Sequence, residues 1–282
     1  MVQSKEKVQV LVATMNQKDF SKVEKMKIAS DIFFANQTDT TGYIKKEYNG
    51  FIAEMLNTET RGVGVNRNFA LQYASGDILL LADDDMVYHD GYAETVLKSF
   101  SEHPDADAII FNIETVGAQV QRRINTGSSA VHIFNALNYG AVRIAVRRKS
   151  LIKERICFST CFGGGTSYSA GEDSLFICDM LRKGFKIYTS PEFIATVDQS
   201  TSSWFSGYNQ KYIFDKGAFY AAAFGPWALA FGIQDLLRHK KIYKEAELNL
   251  IQAVDVMKKG TKAYKNIQAW SPNDEERVCV DE

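Results

Sequence analysis

Short apolar runs alternate with helix-compatible segments through the first part of the chain, and this alternation restricts the fold more than any other feature. Residues 8–13, 31–35, 78–82 and 108–112 have strand length, and apolar side chains dominate each run. Near-continuous apolar runs of this length are the mark of strands covered on both faces. Between them, 19–30 is polar and helix-compatible. Residues 64–74 read as a helix with Val65, Phe69 and Tyr73 on one face, and Asp90 reads as the N-cap of a helix through Phe100. The stretch Asn36-Gln37-Thr38-Asp39 reads as a turn after the second strand. Strands separated by helices imply crossover connections, hence an α/β fold with a mostly parallel sheet flanked by helices.

Beyond about residue 115 the pattern loosens. Residues 140–147 alternate with period two, as in a strand with one wet face. The run Phe162-Gly163-Gly164-Gly165 reads as a flexible loop, 172–183 as a helix stopped by Gly184, and 185–197 as a strand. From residue 203 the pattern is helical. The expected organisation is a nucleotide-binding and catalytic domain over 1–202, a helical C-terminal region over 203–270 and a flexible tail over 271–282.

Composition excludes several classes. With 33 Lys+Arg against 34 Asp+Glu, the net charge of −1 excludes a nucleic-acid binder that works through an overall basic field. Four cysteines, Cys157, Cys161, Cys178 and Cys279, make no disulfide framework in 282 residues. The Cys157-x3-Cys161 pair lacks the second Cys/His pair of a zinc site. A reducing, cytoplasmic setting follows, and the start of the chain lacks the long apolar stretch of a signal peptide. No Gly-x4-Gly-Lys-Ser/Thr loop, dinucleotide fingerprint or Gly-x-Ser-x-Gly elbow occurs.

The third run leads straight into Asp83-Asp84-Asp85. Adjacent like charges repel, so such a cluster is best explained by a bound cation, and oxygen-only ligands suit Mg²⁺ or Mn²⁺. In open α/β sheets the ligand crevice lies beyond the carboxyl ends of the strands. The first three strands end at Thr14, Asn36 and Asp83, so all three ends point at one crevice where a metal would hold nucleotide phosphates. The plainer alternative is a solvated acidic turn. His89, six residues past Asp83, is within reach of such a metal or is simply a surface residue at a helix start.

The segment 8–16, Asn36-Gln37-Thr38-Asp39, Arg67-Asn68-x-Ala70, Gly76-Asp77, the Asp83-Asp84-Asp85 run and Gly171-Glu172-Asp173 together resemble the family 2 glycosyltransferases of GT-A (Rossmann-like) fold over roughly 7–200. The stretches Arg61-Gly-Val-Gly-x-Asn-Arg-Asn68, Ala82-Asp-Asp-Asp-Met86 and Phe162-Gly-Gly-Gly-x-x-Tyr-Ser-x-Gly-Glu-Asp-Ser-Leu-Phe176 are similar to bacterial transferases of surface-polysaccharide clusters. The resemblance implies inverting transfer from a nucleotide-diphosphate sugar, a UDP-sugar foremost, to a saccharide or lipid-linked acceptor. It places Thr14, Asn36 and Asp39 at the base and ribose, and Arg67 at the diphosphate. Asp83 and Asp85 flank the divalent metal, with Asp84 between them on the donor side. The chain departs from the family at Ala35-Asn36, where many members carry Asp-Asp, which leaves the identity of the nucleotide open.

An acceptor hydroxyl needs a base, and a positioned carboxylate supplies about 10²–10⁴ in rate. Asp173 is the candidate base. Ser169-x-x-Glu172 fits a capping box, so Glu172 has a capping role beside its implied place at the acceptor. Trp204, Tyr208 and Tyr212 form a stripe at helical spacing, either core packing or a platform for acceptor sugars with Lys211 or Lys216 near the diphosphate. Processive members carry Gln-x-x-Arg-Trp, whereas this chain has Gln199-Ser-Thr-Ser-Ser-Trp204, which points away from a polymerase. The uncharged segment 217–234, followed by Arg238-His239-Lys240-Lys241, reads as buried helices or as a shallow attachment to the inner face of a membrane. Two rival functions remain: a nucleotidyltransferase, which would need a basic Gly-rich loop after the first strand, and a non-catalytic nucleotide-sugar-binding protein.

Overall fold

In the computed structural model, residues 6–117, 123–198 and 207–270 are described, with side chains through 266. The strands are β1 Val8–Met15, β2 Asp31–Gln37, β3 Gly42–Tyr48, β4 Phe51–Thr58, β5 Ile78–Asp83, β6 Met86–Tyr88, β7 Ala108–Val116, β8 Ile144–Arg147 and β9 Ile187–Asp198. The helices are α1 Ser21–Lys25, α2 Val63–Tyr73, α3 Tyr92–Glu102, α4 Arg148–Glu154, α5 Glu172–Arg182, α6 Gln210–Phe224, α7 Ala228–Arg238, α8 Lys241–Glu245 and α9 Leu250–Trp270.

One nine-stranded sheet runs in the order β3-β4-β2-β1-β5-β8-β7-β9-β6. Its central block β4-β2-β1-β5 is parallel throughout, and the expected strands of the first half all lie in this sheet. Antiparallel pairs enter at β3, β6 and β8. Hydrophobic layers cover both faces. One gathers Val10, Phe34, Leu80, Tyr92 and Phe100, the other Leu11, Phe33, Leu81, Phe158 and Phe176. Burial on both faces explains why β1, β2 and β5 are nearly unbroken apolar runs.

Several expectations are corrected. The β3–β4 hairpin carries no forecast from the sequence, although its Asn49-Gly50 turn, with φ of 49° and 86°, is the usual two-residue hairpin signal. Charged side chains on β3 keep this edge wet, so its alternation with a buried face is faint. The helix expected over 19–30 shrinks to the five residues of α1. Asn36 and Gln37 are strand rather than turn. Gly91, not Asp90, stands at the N-cap of α3, with no side-chain cap.

The wet-faced strand expected over 140–147 is a single turn of 3-10 helix, Ala141–Arg143, followed by the wholly buried β8. Its two arginines can be buried because carbonyls satisfy them. Arg143 donates to Phe111 O (2.7 Å), and Arg147 donates to Ala106 O (3.0 Å) and pairs with Glu6.

The C-terminal helices form a third cluster with Phe162 and Tyr168 of the glycine-rich loop and Leu175 of α5. Helices α6 and α9 meet backbone to backbone. A Cβ added at Gly217 would stand 2.0 Å from Met257 O, and one at Gly260 would stand 1.9 Å from Phe214 O. No helix among the described residues is long and apolar enough to cross a membrane.

Candidate active site

Strand register assembles the site. Ala13 of β1 lies beside Asp83 of β5, Thr14 lies beside Asn36 of β2, and Asn36 lies beside Asn57 of β4. The carboxyl ends of four parallel strands therefore open onto one crevice, where α/β sheets bind ligands.

Helix α2 packs Phe69 on the core and stacks Tyr73 on Phe33, as the apolar face expected, and also turns polar residues into this crevice. Asn66, Arg67 and Asn68 are buried, whereas Tyr73 is 48% exposed. Hydrogen bonding explains the buried polar residues. Asn66 donates to the Ala35 (2.8 Å) and Thr14 (3.3 Å) carbonyls at the strand ends. The Asn68 side chain donates to Phe158 O (3.0 Å) and accepts from Phe158 N (2.7 Å). These two fixed amides hold Arg67 between them, with its guanidinium 5.3 Å from the Phe158 ring centre.

Arg67 joins the two acidic motifs. It bonds Asp83 at 3.0 Å through Nη2, and Asp173 at 2.5 Å and Glu172 at 3.3 Å through Nη1. Burial opposes its charge, but Asp173, Asp83 and Glu172 outweigh that and hold the guanidinium above its ordinary pKa. A planar fork with separate donors can do this, and a lysine cannot.

Asp173 is fixed from both sides, because its Oδ2 accepts from Ala141 N at 2.9 Å. Glu172 is the first residue of α5 but caps nothing. Gly171 is the N-cap without a side-chain bond, and Ser169 donates instead to Asp215 of α6 through N (3.1 Å) and Oγ (2.7 Å). The capping box is therefore not formed, because the buried Asp215 competes for Ser169 and Lys211 completes that link at 2.6 Å. The sequence alone offered no sign of this latch, which ties the loop before α5 to the C-terminal helices.

Burial and the neighbouring Asp173 push the Glu172 carboxyl up to about 7. An acid raised in the folded state weakens the fold as pH climbs from its unfolded pKa to its folded one. Glu172→Gln should therefore melt progressively higher than the wild type between about pH 4.5 and 7, reaching a gain of about 3 kcal/mol. Melting curves across that range test this; a difference that does not change with pH would refute it.

Asp84 faces away from Arg67. It accepts from Thr14 Oγ1 (2.5 Å) and Gln17 Nε2 (3.2 Å), and the Lys22 ammonium bonds its carbonyl at 2.8 Å. Asn36 is fully buried, and its amide is committed to Gln17 O (2.8 Å) and Asn57 Oδ1 (2.7 Å). Both residues thus shape the loop after β1. Asp39 is exposed beyond β2 and pairs with Arg61 at 2.8 Å. Gln17 and Lys22 were missed from sequence, since neither belongs to a spaced motif.

The expected platform is only partly in view, because Trp204 lies outside the described residues, as do the Gln199 motif and the tail 271–282. Tyr208 and Tyr212 pack edge to face at 5.0 Å. Lys216 is committed to Asp235 at 2.6 Å. His89 is hydrogen-bonded to Phe193 O (3.2 Å) and Thr196 Oγ1 (2.9 Å) on β9.

Among the described residues no group of three or more His, Cys, Asp or Glu is gathered as a protein-only metal cage. Two carboxylates suffice for Mg²⁺ or Mn²⁺ when phosphates complete the shell. Asp83 and Asp85 fit that role as hard oxygen donors. Burial and then the Asp83 charge raise the Asp85 carboxyl, the signature of a cluster short of positive charge.

The glycosyl transferase family 2 model matches residues 33–167. The chain carries a family 2 glycosyltransferase domain. The matched stretch holds Arg67 and the three aspartates; Thr14, Glu172 and Asp173 lie outside it. Solved structures agree on the fold of this glycosyltransferase. S. aureus TarS 1-349 in complex with UDP is similar over 93% of this chain and 92% of that one, at 17% identity and a TM-score of 0.59. The same protein in complex with UDP-GlcNAc covers 92% of each chain at 16% identity and a TM-score of 0.57. Against the longer S. aureus TarS structure, at 16% identity and a TM-score of 0.55, the match covers 96% of this chain but 46% of that one. These likenesses show a GT-A fold, with a sheet that is mostly but not purely parallel. No curated protein matches the chain in sequence.

Proposed function

We propose that this glycosyltransferase moves a sugar, with inversion, from a nucleotide-diphosphate sugar to a saccharide or lipid-linked acceptor in surface-polysaccharide synthesis. The observation that carries this is the span of Arg67, which brings Asp83 and Asp173 within reach of one guanidinium. A donor-side carboxylate and an acceptor-side carboxylate are what single-displacement transfer needs. The UDP and UDP-GlcNAc complexes of S. aureus TarS favour a UDP-sugar.

In this reading Thr14, Asn36 and Asp39 line the base and ribose side, the first two by fixing the loop around Gln17. Asp83 and Asp85 hold Mn²⁺ or Mg²⁺, and Asp84 sets their spacing through Thr14 and Lys22. The metal supplies neutralisation of the leaving diphosphate. Arg67 orients Asp173, which takes the acceptor proton as the new bond forms. Glu172, with Trp204, belongs to the acceptor side. The catalytic portion spans 1–202, and the helical region 203–270 buttresses it. The setting is the cytoplasm.

Incubation with UDP-sugars, Mn²⁺ and a saccharide panel tests the reaction. Release of nucleoside diphosphate supports transfer; release of pyrophosphate would show a nucleotidyltransferase instead. Thermal shift with UDP and Mn²⁺ tests the site. At 100-fold the dissociation constant, UDP should stabilise the fold by about 2.7 kcal/mol. Asp85→Asn should lose most of that metal-dependent gain along with transfer. An Asp85→Asn enzyme with full activity and unchanged metal dependence would overturn the metal assignment.

A further inference from the structure

Helix α7 is apolar on two faces, and only one of them is packed. Ala228, Gly232 and Leu236 are buried. On the other side Ala230, Ile233 and Leu237 recur at the spacing of a single stripe, which Trp227 of the preceding 3-10 turn continues. Trp227 is 69% exposed, Leu237 51% and Ile233 36%. Phe134, 73% exposed on a separate loop, lies against the same helix, its ring 6.4 Å from that of Phe231, which is itself packed on the C-terminal cluster. A tryptophan and two aliphatic side chains exposed along one stripe, with an exposed phenylalanine beside the same helix, are more than scattered surface apolarity.

A basic rim follows directly. Residues 238–244 hold Arg238, Lys240, Lys241 and Lys244 and no acid, in a chain whose overall charge is −1. Lys241 pairs with Glu245 at 3.3 Å, whereas Arg238, Lys240 and Lys244 have no ion-pair partner among the described residues. The positive charge at the end of α7 is thus local and largely uncompensated.

We propose that the outer face of α7, with Phe134, docks this enzyme on an anionic phospholipid bilayer. An apolar stripe with an aromatic residue and a cationic border is the make-up of helices that lie in the lipid interface. Charge selects this occupant over a second copy. A two-fold contact with the α7 helices parallel would set Arg238, Lys240 and Lys244 near their own equivalents, and an antiparallel one would leave them unneutralised, whereas lipid phosphates neutralise them. The chain also links the patch to the site. The loop carrying Phe134 runs on to Ala141, whose N–H holds Asp173. Docking there would set the acceptor side of the crevice close to the lipid surface. The inference goes beyond the proposed transfer reaction and does not depend on it, because vesicle binding is read without donor or acceptor.

The test is co-sedimentation of the full chain with vesicles of phosphatidylglycerol and phosphatidylcholine, and with phosphatidylcholine alone. Binding is expected with the anionic vesicles, weakening as salt rises. Trp227→Ser/Leu237→Ser should lower the partition coefficient at least tenfold with no change in melting temperature, because both side chains are exposed. Lys240→Glu/Lys244→Glu should lower it about tenfold on anionic vesicles only. The proposal falls if the wild type ignores anionic vesicles at low salt, or if both variants bind like the wild type. It also falls if light scattering shows a dimer that Trp227→Ser/Leu237→Ser dissociates, which would give the face to a second copy.

Discussion

Asp173→Asn is expected to cut turnover by about 10²-fold or more while donor affinity stays within a few-fold. The substitution is nearly isosteric. Its amide keeps one acceptor oxygen, so one of the two bonds that hold Asp173, from Arg67 and from Ala141 N, survives. What it loses is the ability to take up the acceptor proton.

Glu172 is the competing carboxylate, and its pKa near 7 would suit a general base. Accessibility favours Asp173, whose side chain is 29% exposed against 12% for Glu172. Glu172→Gln should therefore retain most turnover and gain stability at neutral pH. Donor affinity, melting temperature and single-turnover rate for both variants decide the matter. A folded but inactive Glu172→Gln beside an active Asp173→Asn would move the base to Glu172.

The parts legible from the sequence were those where one physical rule dominates. Strands β1, β2 and β5 are buried on both faces, so their apolar runs announce them, and the order of the fold follows from alternation with helices. Asp83-Asp84-Asp85 is legible for a similar reason, since clustered like charge after an apolar run demands explanation. The network around Asp84 was not. Thr14, Gln17 and Lys22 meet it only because β1 and β5 are neighbours, and sequence spacing carries no trace of that register.

Helix α2 shows how an amphipathic reading is incomplete at a functional site. Val65, Phe69 and Tyr73 form a tidy apolar stripe, yet the helix buries Asn66, Arg67 and Asn68. Burying polar side chains is tolerable when each finds fixed partners, and here strand-end carbonyls, a loop backbone and three carboxylates provide them. Arg143 and Arg147 follow the same logic in the region expected to be a wet-faced strand. Ser169 shows the reverse case, where a sound local motif loses to a partner far along the chain. Asp215, 46 residues on, takes the hydroxyl that the capping box would have used.

Arg67→Met should be the most damaging single change to the fold around the site. Methionine approximates the volume but removes the cation that faces Asp83, Glu172 and Asp173. Breaking a buried ion pair from one side typically costs about 3–5 kcal/mol, because the partner charges stay behind. The sign of the pH dependence follows. Without Arg67 the Glu172 carboxyl is held further above its unfolded pKa, so the deficit grows as pH rises from about 4.5 toward 8 and shrinks when acid neutralises it. Arg67→Lys keeps one charge but loses the fork. It should fold better than Arg67→Met and still transfer poorly, since one ammonium cannot hold Asp83 and Asp173 in register. Denaturant melts at pH 5 and pH 8 for the wild type and both variants test this. An Arg67→Met deficit of the same size at both pH values would mean that the residue acts through packing on Phe158, and that the carboxylates do not depend on its charge.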